Sequence, residues 1–166
     1  PNSTGLPGRT YNEFRAYEDF GVRTGVEDVW GSSPLRLARY AALFDNFPLD
    51  RMWRLLGVDH VLTWRKELFG PSNLLGEWPQ ATDTTYLHAL PGGNPRAWVV
   101  QQVEPDADQK AILRLADSAF DLNKIAVVAD TDWPTGQSIS IASDAAETAG
   151  APRVKLTQQA PGKLIV

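Results

Sequence analysis

No apolar run in this chain approaches the roughly 18 residues that a membrane-spanning helix needs. The apolar stretches it does have are of strand length or carry helical spacing, which limits the chain to a globular fold of short elements. "VDHVLTW" (58–64), "TTYLHAL" (84–90) and "NKIAVVAD" (123–130) are read as strands, because they are rich in β-branched and aromatic residues. The last is apolar enough to be expected buried on both sides. "RTYNEFRAY" (9–17), "PRAWVVQQV" (95–103) and "GQSISIA" (136–142) add further strands. "PGGN" (91–94) reads as a hairpin loop between two of them. Pro161 and Gly162 read as the turn of a closing hairpin built from "RVKLTQQ" and "GKLIV".

Three stretches have helical spacing. In "SSPLRLARYAALF", Ser33 suits an N-cap and Pro34 the first helical position, where its missing N–H costs nothing. Leu37, Tyr40, Ala41 and Phe44 then form one apolar face, and Leu37, Tyr40 and Phe44 are expected to be buried. Arg36 and Arg39, three apart, share another face that points towards solvent or a partner. "FPLDRMWRLLGV" predicts a second helix with Pro48 near its start and Gly57 closing it. Residues 106–120 predict a third, with a stripe of Ala111, Ile112, Leu115, Ala116 and Ala119. Residues 66–82, rich in Gly, Pro, Ser and Asn, are expected to be irregular, and "SDAAETAGA" (143–151) to be a linker.

Together these elements predict an α+β fold, with a mixed, mainly antiparallel sheet and about three helices. Residues 1–20 read as a lead-in with the first strand, and 21–166 as a single α+β domain. A length of 166 residues suits one core, and 43% hydrophobic against 22% charged residues is an ordinary globular balance. The chain opens on Pro1 and stops inside the run "KLIV", so it is expected to be excised from a longer protein.

A net charge of −4 argues against nucleic acid as a partner, since phosphate binding needs a basic surface. The absence of cysteine excludes disulfides, thiolate metal sites and cysteine nucleophiles. His60 and His88 lie among apolar residues in two expected strands; they read as core or sheet-face histidines, with a metal or catalytic pair possible if those strands are neighbours. No G-x-S-x-G, H-E-x-x-H or Walker loop is present. "ADTDW" places Asp130 and Asp132 just past a strand, where two carboxylates can share a divalent cation bridging a nucleotide diphosphate. The simpler reading makes them turn residues, favoured because no dinucleotide-type strand–Gly–helix unit precedes them. The acids of "EPDAD" (104–108) complement the positive N-terminus of the following helix. Glu27 and Asp28 are expected to pair with Arg36 or Arg39, and Trp30 to pack beneath the helix. That makes the stretch 25–44 structural rather than an anion loop, with a surface role left only to Arg36 and Arg39.

The segments "GVEDVWGSSPLRLARYAALF", "WRLLGVDHVLTW", "NPRAWVVQQVEPDADQKAILRLADSAFDLNKIAVVAD" and "RVKLTQQAPGKLIV" resemble, in their order and spacing, the bacterial membrane protein YfhO family. Its members carry a Y-x-P-L-x-L-x-R-Y helix, an L-L-x-V-x-Y-V strand, a P-R-A-(F/W) strand and a closing N-x-(I/V) strand. The resemblance runs from about Gly21 onward. His60 replaces the common aromatic, Trp30–Gly31 stands for a Gly-Tyr type pair, and Gly162–Lys163 replaces the usual Asn-Arg. It implies the soluble segment, on the outer face of the cytoplasmic membrane, of a polytopic glycosyltransferase that uses a lipid-linked sugar to modify cell-envelope polymers. The family's expected catalytic acid lies in a loop between membrane helices, outside this chain, so the segment itself is expected to be inactive and to need no cofactor. The expected partners are the membrane portion of the same polypeptide and a glycan or lipid-linked acceptor, contacted through Arg36 and Arg39. Two other classes stay open: a stand-alone metal-dependent nucleotide-sugar transferase using Asp130 and Asp132, and a protein-interaction module using exposed aromatics.

Overall fold

A computed structural model describes residues 8–14, 21, 24–30, 37–45, 47–91, 95–132, 139–140, 157–160 and 163–165. The run of β-branched residues after Gly57 becomes the centre of the larger sheet. That sheet contains β1 (Arg9–Asn12), β2 (Glu27–Asp28), β3 (Val58–Thr63), β4 (Asn73–Pro79) and β5 (Thr84–Ala89), in the order β2-β1-β3-β5-β4. β1 runs parallel to β2 and β3, whereas β5 runs antiparallel to β3 and β4. The mixed α+β architecture expected from the sequence is present.

Helix α1 (Ala38–Ala42) and helix α2 (Leu49–Leu55) follow β2 in the chain. In α2, Asp50 lies in the first turn and Arg54 in the last, each complementing the helix dipole. Leu56 and then Gly57, at φ +64°, end the helix as expected and turn the chain into β3. Met52 and Trp53 are buried beside Val29, Phe47, Leu56, Val58 and Val61, which together form the core. Tyr11 meets Trp53 at 5.9 Å, which ties β1 to α2, and Trp30, just after β2, meets Phe44, just after α1, edge-on at 4.1 Å.

Helix α1 is shorter than expected. It begins at its N-cap Leu37, which is extended (ψ 129°) and 80% exposed, because a residue ahead of the first helical turn is not on the helix's apolar face. Tyr40 and Phe44 are half-buried against the core. Ser33, Pro34 and Arg36 lie outside the described residues.

Residues 66–82 are not irregular throughout, since β4 occupies Asn73–Pro79. It is an edge strand exposed along nearly its whole length, so it lacks the buried apolar alternation that marks a strand in sequence. Pro79 and Gly76 are tolerated there because an edge strand leaves one row of backbone groups outside the ladder.

A second sheet holds β6 (Gln102–Asp106), β7 (Ile125–Ala129) and β8 (Ile139–Ser140), in the order β7-β6-β8. β6 and β7 are parallel and joined through helix α3 (Asp108–Ala116), which makes a β–α–β unit. "PGGN" therefore does not close a hairpin: β5 and β6 belong to different sheets, residues 95–101 form no strand, and 92–94 lie outside the described residues. Helix α3 stops before Ala119 because the Asp117 carboxylate accepts the Ala119 N–H and draws the chain into a turn. β7 is half-buried rather than buried on both sides, since its one described neighbour is β6. Arg51 reaches from α2 to the carbonyls of Leu115 and Phe120, which holds the β–α–β unit against the core. β9 (Thr157–Ala160) and β10 (Lys163–Ile165) form the expected antiparallel pair. The turn at 161–162 and the 143–151 linker lie outside the described residues. No helix among the described residues is long and apolar enough to cross a membrane.

Candidate functional site

β3 and β5 are neighbours, as a histidine pair would require, but their register separates the two rings. His88 stands opposite Val61 and His60 opposite Ala89. Directly paired residues share a face and the side-chain period is two, so His60 and His88 point to opposite sides of the sheet. His88 is 1% exposed. Its Nε2 lies 3.0 Å from the Arg65 carbonyl, which only accepts, so Nε2 carries the proton. Nδ1, 3.2 Å from the Ser72 hydroxyl, then accepts. Both ring nitrogens are engaged, so His88 is a satisfied core histidine with no lone pair to offer a metal.

Asp130 directly follows β7 in a single 3-10 turn, Asp130–Asp132, and its side chain is exposed. The Asp132 side chain lies outside the described residues. A β–α–β unit precedes Asp130, but its strand leads into α3 through Ala107 and not through a glycine loop, so it is not a dinucleotide-type strand–Gly–helix unit. The acids at the neighbouring end of β6 are engaged: Arg114 pairs with Glu104 and, at 3.5 Å, with Asp106. The hydrogen bond that the Arg114 guanidinium donates to the Glu104 carboxylate, above all, holds its pKa above the ordinary value. Among the described residues, no three or more His, Asp or Glu side chains converge as a metal site.

The 25–44 stretch uses its charges differently from expectation. Glu27 pairs with Arg9 and Arg96 rather than with Arg39, because parallel pairing sets Glu27 beside Arg9. Asp28 accepts the Trp30 backbone N–H, a local turn bond. Arg39 is exposed and meets Asp108 at 3.0 Å, at the start of α3. Tyr40 donates its hydroxyl to the Val29 carbonyl, and burial pushes its pKa up. Trp30 packs against Phe44, just past the end of α1, rather than near the helix start.

The arrangement that sequence reading missed lies on the sheet face opposite the helices. Tyr11, Val61 and His88 mark the core side. On the other side Trp78 pairs with Thr85. Thr63 pairs with Tyr86, so Trp64, the next residue, stands across from Thr85 on the other flank. The Glu13 N–H bonds the Leu62 carbonyl and continues the β1–β3 ladder, which brings Phe14 beside Trp64 with ring centroids 5.7 Å apart. Phe14 just past β1, Trp64 just past β3, Thr85 on β5 and Trp78 on β4 thus lie on the same side of the sheet, towards one end of its strands. The three aromatics are 38%, 49% and 51% exposed. Trp78 lies back over Gly76, where an added Cβ would come within 2.7 Å of the indole. Leu74 and Leu75 on β4, and Phe69 before it, extend the exposed apolar surface along the sheet edge.

Compared with known proteins, the chain matches no family model, no curated protein and no solved structure.

Proposed function

We propose that this chain is a non-catalytic, extracytoplasmic accessory domain of a YfhO-like polytopic membrane protein, a glycosyltransferase that uses a lipid-linked sugar on cell-envelope polymers. In this reading the domain packs on the membrane portion of the same polypeptide and positions an acceptor. The observation that carries the reading is β4, an edge strand whose Leu74 and Leu75 are exposed beside Phe69. Exposed apolar edges are a liability unless a partner covers them, and the rest of one polypeptide is a ready partner. The order and spacing of the YfhO-like segments support the same assignment. The parent reading frame tests it: several apolar segments of about 20 residues should accompany this domain. A parent protein without them contradicts the assignment.

A second reading keeps one specific observation. Asp130 sits at the carboxyl end of a strand in a parallel β–α–β unit, the position where α/β proteins commonly bind ligands. A metal-dependent nucleotide-sugar transferase would place its cation at Asp130 and Asp132. Manganese with a nucleotide sugar would then raise the melting temperature saturably, and Asp132→Ala would abolish the shift. The accessory reading predicts no shift.

A further inference from the structure

From Arg65 to Asp83 no residue is buried, and only Arg65, Leu68, Ser72 and Gly76 are half-buried. The run comprises the loop after β3, the strand β4 and the turn into β5. Leu68 is its one apolar side chain packed against the core. Beyond the β4–β5 ladder, its ties to the rest of the chain are few. Gln80 bonds Thr85 across the turn at 2.8 Å, and the Arg65 N–H bonds the Thr63 hydroxyl at 3.1 Å. The Arg65 guanidinium lies over the rings of its neighbour Trp64 and of Phe69 in the same loop. Its Nε stands 3.6 Å from Glu13, beyond hydrogen-bond reach, and has no acceptor. The other two ties both belong to His88. Its Nε2 donates to the Arg65 carbonyl where the loop begins, and its Nδ1 accepts from Ser72, the residue before β4. One buried imidazole therefore fastens both ends of the loop to β5.

We propose that residues 65–83 form a strap that opens as a unit while the rest of the chain stays folded, with His88 as its clasp. A segment with few buried apolar contacts and solvent-exposed backbone bonds opens at a lower free energy than the core it borders. The neighbouring strand β3 is the opposite case, since Val58, Val61 and Thr63 are fully buried and open only with the whole fold. The closed strap covers the His88 ring, which is 1% exposed, and pairs with the outer edge of β5. The open strap bares both. His88 then changes from a satisfied core group into an accessible imidazole, and β5 into an edge strand with free backbone donors and acceptors. The inference goes beyond the accessory-domain reading and stands or falls without it.

Native-state amide hydrogen exchange on the 166-residue chain, repeated at rising urea below the unfolding transition, tests the strap. The amides that bond β4 to β5 should exchange about tenfold faster, or more, than those that bond β3 to β1. Their rates should depend little on urea, because a local opening exposes little surface, whereas the β3 rates should climb steeply. Ser72→Ala deprives His88 Nδ1 of its donor in the closed state only, so β4 protection should fall about tenfold further. Leu115→Ala, on α3, removes core packing that the open state retains. It should lower the protection of β3 and leave that of β4 unchanged. Three results would overturn the proposal: β4 amides exchanging at the same free energy as β3, β4 protection falling in step with β3 in Leu115→Ala, or β4 protection indifferent to Ser72→Ala. None of these results bears on the parent reading frame, so the two readings fail separately.

Discussion

Arg96 and Glu27 join the segment ahead of β6 to β2, with the Arg96 Nη2 2.5 Å from a Glu27 carboxylate oxygen and the Arg96 side chain only 7% exposed. Glu27 also faces Arg9, whose Nη1 donates to the Leu56 carbonyl at the end of α2. One carboxylate therefore links β2, β1 and the segment that enters β6. Removing it takes a charged hydrogen-bond partner from a nearly buried guanidinium, so Glu27→Ala should cost about 1.5–3 kcal/mol in chemical denaturation. Glu27→Gln, which keeps a hydrogen-bond acceptor, should cost less.

The core and the aromatic bridge to α1 should separate by mutation. Met52 is fully buried, so Met52→Ala should destabilise by about 2–5 kcal/mol. Phe44 is only half-buried, so Phe44→Ala should fall below that range, at about 1–2 kcal/mol. Equal losses in urea melts would mean that α1 packs more tightly than described.

Tyr40 gives the stability a pH dependence at the alkaline end. Burial raises its folded pKa, so the phenol is held neutral and its contribution is complete below its unfolded value of about 10. That contribution is lost as pH rises through the folded pKa, because ionisation then favours the unfolded chain. Tyr40→Phe should flatten this loss. At neutral pH the same variant should cost about 1 kcal/mol, since the Val29 carbonyl loses its donor.

Arg39 should matter little to stability. Its ion pair with Asp108 is exposed on both sides, so Arg39→Ala should change unfolding by less than about 1 kcal/mol, and less still in high salt.

What the sequence disclosed, and what it concealed, follows from where each element's information lies. β3 and α2 were legible because "VDHVLTW" and the Pro48-to-Gly57 segment carry their own signals: β-branched residues, a proline near the start and a glycine at the end. β4 was not, because an exposed edge strand shows no buried alternation and Asn73, Gly76 and Pro79 look like a loop. The β–α–β unit was hidden by the assumption that sequential strands pair, whereas β6 pairs with the strand beyond its helix. The exposed aromatics of the far sheet face could not be read as a group at all. Phe14 and Trp64 follow the ends of β1 and β3, Thr85 and Trp78 lie on β5 and β4, and only the register, including irregularities within the β1–β3 and β4–β5 ladders, puts them on one side of the sheet. The same register turned His60 away from His88.

The accessory-domain account is tested most directly by asking where this domain sits in the parent protein. The chain contains no cysteine, so Lys66→Cys places a single thiol within this domain, at an exposed position. In intact cells with permeabilised outer layers, a membrane-impermeant maleimide should label that thiol at the outer face of the cytoplasmic membrane. Labelling should not increase when the membrane is broken. A thiol that reacts only after lysis would put the domain on the other side of the membrane and contradict the account.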